Sequence, residues 1–260
     1  MNRKKTITRI LFFGILLGIL MFIIGNLFHL PKKTIYSILL ISYIIFIAIV
    51  IPYQIRKVSL LNHKIEILLQ KMYQGEIENY ILEMGKILEH TDNDYLKSVL
   101  IINRSIGYTL KGEFKTSNDY LERIDKNSIN KASQTILYHN IALNYFLLGE
   151  TKKACTIMEL HKEILQKGLE LYPDSFSETF ALWAFAKEEK EQGFTYLKNV
   201  MNSKTAKPSE KQAVSLIWAK QKILDNEITE AKNILQNIVS ESHIPYLKKE
   251  AENILERLKQ

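Results

Sequence analysis

Six histidines (His29, His63, His90, His139, His161 and His243) and one cysteine, Cys155, are the residues best suited to metal or nucleophilic chemistry. None is spaced for it. A zinc site needs several N or S ligands at short, regular intervals, and scattered histidines with a single thiol do not provide them. A phosphate cradle needs a glycine-rich turn, yet the ten glycines form neither GxxxxGK[ST] nor GxGxxG. GxSxG is also absent, so no serine is raised on a nucleophile elbow. Acidic neighbours such as Glu188 and Glu189 fit an ordinary charged helix surface. The lone cysteine rules out an intramolecular disulfide, fits a reducing compartment, and reads as a small apolar residue within a helix. The chain is therefore read as a binding protein rather than an enzyme, with no metal and no cofactor.

The elements that carry these residues divide sharply by charge. Residues 1–57 hold eight of the 35 basic residues and no acid, which leaves 27 basic against 28 acidic residues for 58–260. The formal charge of +7 thus belongs to the N-terminal segment, and the near-neutral remainder argues against a nucleic-acid partner. Ile10–Leu30 and Ile35–Ile55 are each 21 residues without a charge. At a rise of about 1.5 Å per residue, each is long enough to cross a hydrocarbon core of about 30 Å. Only Pro31, Lys32, Lys33 and Thr34 separate them, so a two-span hairpin is expected, followed by a separate domain over 58–260. Arg3, Lys4, Lys5 and Arg9 flank one end, and Arg56, Lys57 and Lys64 the other. Seven basic residues against the two in the turn place both termini, and the C-terminal domain, in the cytoplasm at the cell membrane. Gly14 and Gly18 form a GxxxG that suits close packing against the Ser37 or Ser42 side of the second span, or self-association. Abundant Ile, Lys and Asn suggest a bacterial source.

Beyond residue 57 the apolar spacing is helical throughout, with short polar breaks. Turn positions recur at Gly75, Gly112, Gly149, Glu188 and Asn226, with separations of 37, 37, 39 and 38 residues. A constant period of this length signals stacked repeats. At the C-terminal end, Leu247, Ala251, Ile254 and Leu258 make the stripe of an amphipathic helix that covers the last apolar face.

The segment from Tyr138 to Glu150 resembles a tetratricopeptide repeat. Tyr138, Ile141, Ala142, Tyr145, Gly149 and Ala154 occupy that family's large, apolar, small, aromatic, turn and second small positions. Ser105, Tyr108, Gly112, Ser117 and Leu121 match it in part, as do Phe180, Ala181, Gly193 and Leu197, and Trp218, Ala219, Asn226, Ala231 and Leu235. In the fifth unit Lys222 replaces an aromatic, and in the first Leu68, Lys71 and Tyr80 depart from the pattern. The resemblance implies an all-α fold, an α-solenoid of antiparallel helix pairs with a capping helix. It also implies a concave groove for a protein or peptide, lined by Val99, Ile102, Ile106, Ile136, His139, Leu143, Phe146, Glu178, Leu182, Phe185, Leu216, Lys220 and Ile223. Two arrangements follow: an open apolar groove that a partner must cover, or helices curled tightly enough to bury these residues. The expected role is a membrane-anchored scaffold, with a peptide-sensing receptor or a structural subunit of an envelope or export complex as alternatives.

Overall fold

The computed structural model describes residues 12, 14–16, 18–20, 22–25, 27–28 and 31–259, and among them every regular element is helical. There are two compact units: Met1–Ile67 with Asn93–Tyr95, and Leu68–Asp92 with Leu96–Gln260. Composition changes at residue 57, ten residues before the division at Ile67.

In the first unit an apolar helix, α1 (Gly14–Gly25), precedes α2 (Lys32–Tyr73), which continues into the second unit. The Pro31 carbonyl accepts from the Thr34 and Ile35 amides at 2.9 and 3.2 Å, so Lys32, Lys33 and Thr34 form the first turn of α2 rather than a loop. Among the described residues α2 alone is long and apolar enough to cross a membrane, with an 18-residue stretch of mean hydropathy 2.6 and none of it buried. It contains all of Ile35–Ile55. The expected span Ile10–Leu30 falls partly outside the described residues, as do Arg3, Lys4, Lys5, Arg9 and His29 in full. A Cβ at Gly25 would meet Ile35 Cδ1 at 2.2 Å, so this glycine is what lets the two helices approach there. No described atom comes within 4 Å of a Cβ at Gly14 or Gly18, and the expected packing of that pair on Ser37 or Ser42 is not made.

The second unit is a run of helix pairs. The end of α2 pairs with α3 (Ile77–Glu89), and α4 (Asp94–Lys111) with α5 (Phe114–Glu122). Next, α6 (Lys131–Leu147) is followed by α7 (Thr151–Leu160) and α8 (Lys162–Leu171). Then α9 (Pro173–Ala186) pairs with α10 (Lys190–Asn202), α11 (Pro208–Leu224) with α12 (Ile228–Glu241), and α13 (Pro245–Arg257) closes the chain. Pro173, Pro208 and Pro245 stand at helix starts, where a missing N–H costs nothing. The break between α7 and α8 falls at His161, whose ring stacks on Tyr138 with centroids 3.4 Å apart.

The five turns share one geometry. Gly75, Gly112, Gly149, Glu188 and Asn226 have φ of 103, 90, 76, 63 and 62°, the left-handed region that reverses a helix end. In each, the next residue is a glutamate (Glu76, Glu113, Glu150, Glu189, Glu227) whose N–H donates back to Lys71, Tyr108, Tyr145, Ala184 or Lys222 at 2.8–3.1 Å. These glutamates then stand at the N-termini of α3, α5, α7, α10 and α12, where the helix dipole favours an anion. Each also pairs with a lysine: Lys71, Lys111, Lys153, Lys187 or Lys222, at 2.5–3.9 Å. Such solvent-screened pairs contribute little individually.

Packing keeps the same register as the turns. Seven residues before each turn lie Leu68, Ser105, Ala142, Ala181 and Ala219; five residues after it lie Tyr80, Ser117, Ala154, Gly193 and Ala231. A further four on come Met84, Leu121, Met158, Leu197 and Leu235. All fifteen are buried. Small residues at the first two places in units two to five let the paired helices approach, and the long apolar residue fills the space behind them. A Cβ on Gly193 would meet the Phe185 ring at 2.5 Å. First helices of successive pairs also touch, α6 on α9, α9 on α11, and α11 on α13. On α13, Leu247, Ala251 and Ile254 are buried as their spacing implies.

A buried polar knot joins the second and third pairs. Asn144 Oδ1 accepts from Thr109 Oγ1 at 2.7 Å, while its Nδ2 donates to Ser117 Oγ and Asn118 Oδ1 at 2.8 and 2.9 Å. Ser117 Oγ in turn donates to the Ser105 carbonyl at 3.0 Å.

Two stability changes are expected in chemical unfolding of the detergent-solubilised chain. Asn144→Leu strands these partners in a dry core and costs about 2–4 kcal/mol. Gly149→Ala costs about 1 kcal/mol through the backbone alone, because the added Cβ meets open space; Glu188→Gly gains a similar amount by relieving the same conformation. Equal stability of Gly149→Ala and the parent would refute the strain assigned to these turns.

Candidate functional site

The first helices and α13 line a partly open cavity of about 290 Å³. Its walls come from Ile106, Thr109 and Leu110 on α4, Ile136, His139, Asn140 and Leu143 on α6, and Ser175, Phe176 and Glu178 on α9. Ser209, Glu210 and Ala213 of α11 and Ile244, Tyr246 and Leu247 of the C-terminal segment complete it, with Tyr73 and Tyr172 at its edge.

The C-terminal segment packs against the first two turns. Tyr246 packs edge-on against Phe114 with ring centroids 5.5 Å apart, and its Cβ lies 3.2 Å from where a side chain on Gly112 would begin. The His243 carbonyl lies 3.6 Å from the equivalent point on Gly75, and Lys207 Nζ sits 4.5 Å from the centre of the Tyr73 ring. The segment following the fifth pair therefore touches the turns of the first and second through His243 and Tyr246.

Of the residues the sequence proposed for a groove, Ile106, Ile136, His139, Leu143 and Glu178 come together on the cavity wall. Ile102 and Leu216 are buried in the helix packing, and Phe146 packs against the cluster around Tyr138, Phe176 and Phe180. Phe185 and Leu182 pack against the cluster around Leu197 and Val214. Lys220 forms an ion pair with Glu250 at 2.8 Å. Val99 and Ile223 do not line the cavity. Helix packing thus absorbs part of the groove into the core and leaves a partly open chamber beside it. Tyr246, Asn140, Ser175 and Glu210, which the sequence did not single out, supply much of its polar lining. Only the amphipathic stripe of α13 hinted that this helix would pack inward.

The polar groups are wired in two chains. Asn140 Oδ1 can only accept, so His139 Nδ1 carries its proton and donates to it at 3.1 Å; Nε2 then accepts from the Thr179 hydroxyl at 2.9 Å. Burial holds the imidazole neutral, pushing it down to about 4 against the weaker pull of its hydrogen bonds to Asn140 and the Ser175 backbone. Asn140 Nδ2 has no hydrogen-bond partner among the described residues. In the second chain Glu210 accepts from Ser175 Oγ at 2.7 Å and from the Lys207 amide at 2.8 Å, which occupies both its oxygens. Glu178 accepts a hydrogen bond from the Tyr246 hydroxyl. Burial first, then the Glu210 charge, raise the Glu178 carboxyl to about 7, and Tyr246 and Lys220 offset this only in part. Burial, then Glu178, drive the Tyr246 phenol well above its ordinary value, so it stays a donor. Cys155 lies half-buried on α7, its thiol raised by burial. No group of three His, Cys, Asp or Glu among the described residues is placed to hold a metal ion.

These shifts act on stability with opposite signs. From the ordinary 4.5 up to about 7, the unfolded chain releases a proton that Glu178 keeps when folded, so this group costs stability as pH rises. Between about 4 and 6.5 the unfolded chain binds a proton that His139 refuses when folded, so that group favours higher pH. Glu178→Gln keeps the size and the acceptor for Tyr246. Its melting temperature relative to the parent is expected to be unchanged below pH 4.5, to climb until about pH 7, and then to level off. A difference that ignores pH would contradict an enclosed carboxyl.

No family model, curated protein or solved structure matches the chain.

Proposed function

We propose that this chain is a membrane-anchored helical-repeat protein of the tetratricopeptide type that binds a peptide or protein segment at the cytoplasmic face of the membrane. The observation that carries the reading is the recurrence of one turn and one packing register through five helix pairs. Stacked pairs of this kind present their first helices on a shared concave side. There the chain keeps a chamber rather than a filled core. At about 290 Å³ it lies at the small end of the range for ligand sites, about 300–1,000 Å³, so it suits the end of a peptide better than a folded surface. In this reading α2 spans the membrane, Ile10–Leu30 makes the second crossing, and the basic flanks keep both termini inside. Anchoring then confines receptor and partner to one thin layer and raises their effective concentration.

A receptor role is the variant favoured by one specific contact. Tyr246 both closes the chamber over Gly112 and Phe114 and bonds Glu178 within it, so occupancy acts directly on the closing helix.

A photo-crosslinking residue at Tyr172, exposed at the chamber's edge, is expected to give a discrete adduct in cells expressing the full chain. The same residue at Leu160, exposed on α7 away from the chamber, is expected to give none. Identical patterns from both positions, or no adduct from either, would count against the reading. The chain should also stay in the membrane pellet through alkaline carbonate washing, and its release by carbonate would remove the anchor from the account.

A further inference from the structure

We propose that the chamber receives the free amino terminus of a short apolar peptide, its ammonium group seated on Glu178 and its first side chains against Ile106, Ile136, Leu143 and Ile244. This rests on the peptide-binding reading above and specifies which end of the peptide enters.

The argument begins with charge. Two carboxylates, Glu178 and Glu210, line the chamber, and no lysine or arginine does. Glu210 is already occupied on both oxygens by Ser175 and the Lys207 amide. Lys220, the cation that acts on Glu178, is committed to Glu250. Glu178 therefore has one hydrogen bond, from Tyr246, and no countercharge on the chamber wall. A carboxylate held in an apolar enclosure without a cation is costly, and an entering ammonium supplies what is missing. His139 cannot play that part, because burial keeps it neutral.

That the ammonium belongs to a peptide rather than a simple amine follows from the peptide-binding reading above. The apolar lining sets the class of the leading side chains. The exposed ring of Tyr172 marks the edge past which the rest of the peptide continues.

The test uses full-length protein in detergent, with tri-leucine, N-acetyl-tri-leucine and hexylamine as probes in calorimetric titration. Tri-leucine is expected to bind at least tenfold more tightly than either of the others. In Glu178→Gln the gap between free and acetylated peptide is expected to close to about onefold, while the helical circular dichroism of the variant matches the parent. The acetylation comparison is made on the parent chain, so it holds even if the variant folds poorly. Equal binding of the free and acetylated peptides overturns the assignment of the amino terminus, as does the absence of any binding. Hexylamine binding as tightly as tri-leucine overturns the peptide as the source of the ammonium. If these arms fail while the crosslink from Tyr172 persists, the amino-terminus proposal alone falls; if both fail, the peptide-binding reading falls with it.

Discussion

Close approach of paired helices is the constraint from which the second unit follows. A helix pair can pack tightly only where facing residues are small, and here they are: Ser105 with Ser117, Ala142 with Ala154, Ala181 with Gly193, and Ala219 with Ala231. Once that contact is set, the chain must reverse a fixed distance beyond it, and the left-handed residue falls seven positions on in all five pairs. The first pair meets the constraint differently. Leu68 and Tyr80 occupy the small positions, and Tyr80 reaches past the contact so that its hydroxyl bonds the Asn103 carbonyl of the next pair at 2.8 Å. Size is traded there for a bond between neighbours.

The same register explains how polar groups come to be buried without being wasted. Asn144 lies within an otherwise apolar stretch, yet every hydrogen-bonding atom of its amide is used by residues of the preceding pair. Buried polar groups that are satisfied in this way fix one alignment of neighbouring units over others, since a slip by one helical turn would leave them unmet. The chamber shows the opposite condition. Glu178 lines the space the helices leave there, beside Glu210 and with no lysine or arginine on the wall.

Much of this was legible in the sequence, for identifiable reasons. Three turns carry glycine because φ there is positive. Asn226 is a tolerated substitute, and Glu188 is recognisable only because the period demands a turn at that point. The long apolar helix and the buried stripe of α13 follow from composition and spacing. The closing contact does not. Amphipathic spacing says that one face of α13 is covered but carries no information on which distant surface covers it, so Tyr246 over Phe114 had no signal. The partners of Asn144 lie 26 to 35 residues away and leave no periodic trace either. Packing decides the fate of the groove residues: Ile102 is buried between helices, and Phe185 joins the cluster around Leu197 and Val214.

The contact made when α13 reaches back to the second pair has a consequence for the history and assembly of the chain. Arrays of stacked units ordinarily gain or lose a unit without harm, because each touches only its neighbours. Here Tyr246 meets Phe114 across more than 130 residues of sequence, so an added or deleted pair would carry the tyrosine past its seat. Synthesis is bound by the same contact: earlier pairs can stack as they emerge, but the chamber is complete only once α13 has left the ribosome.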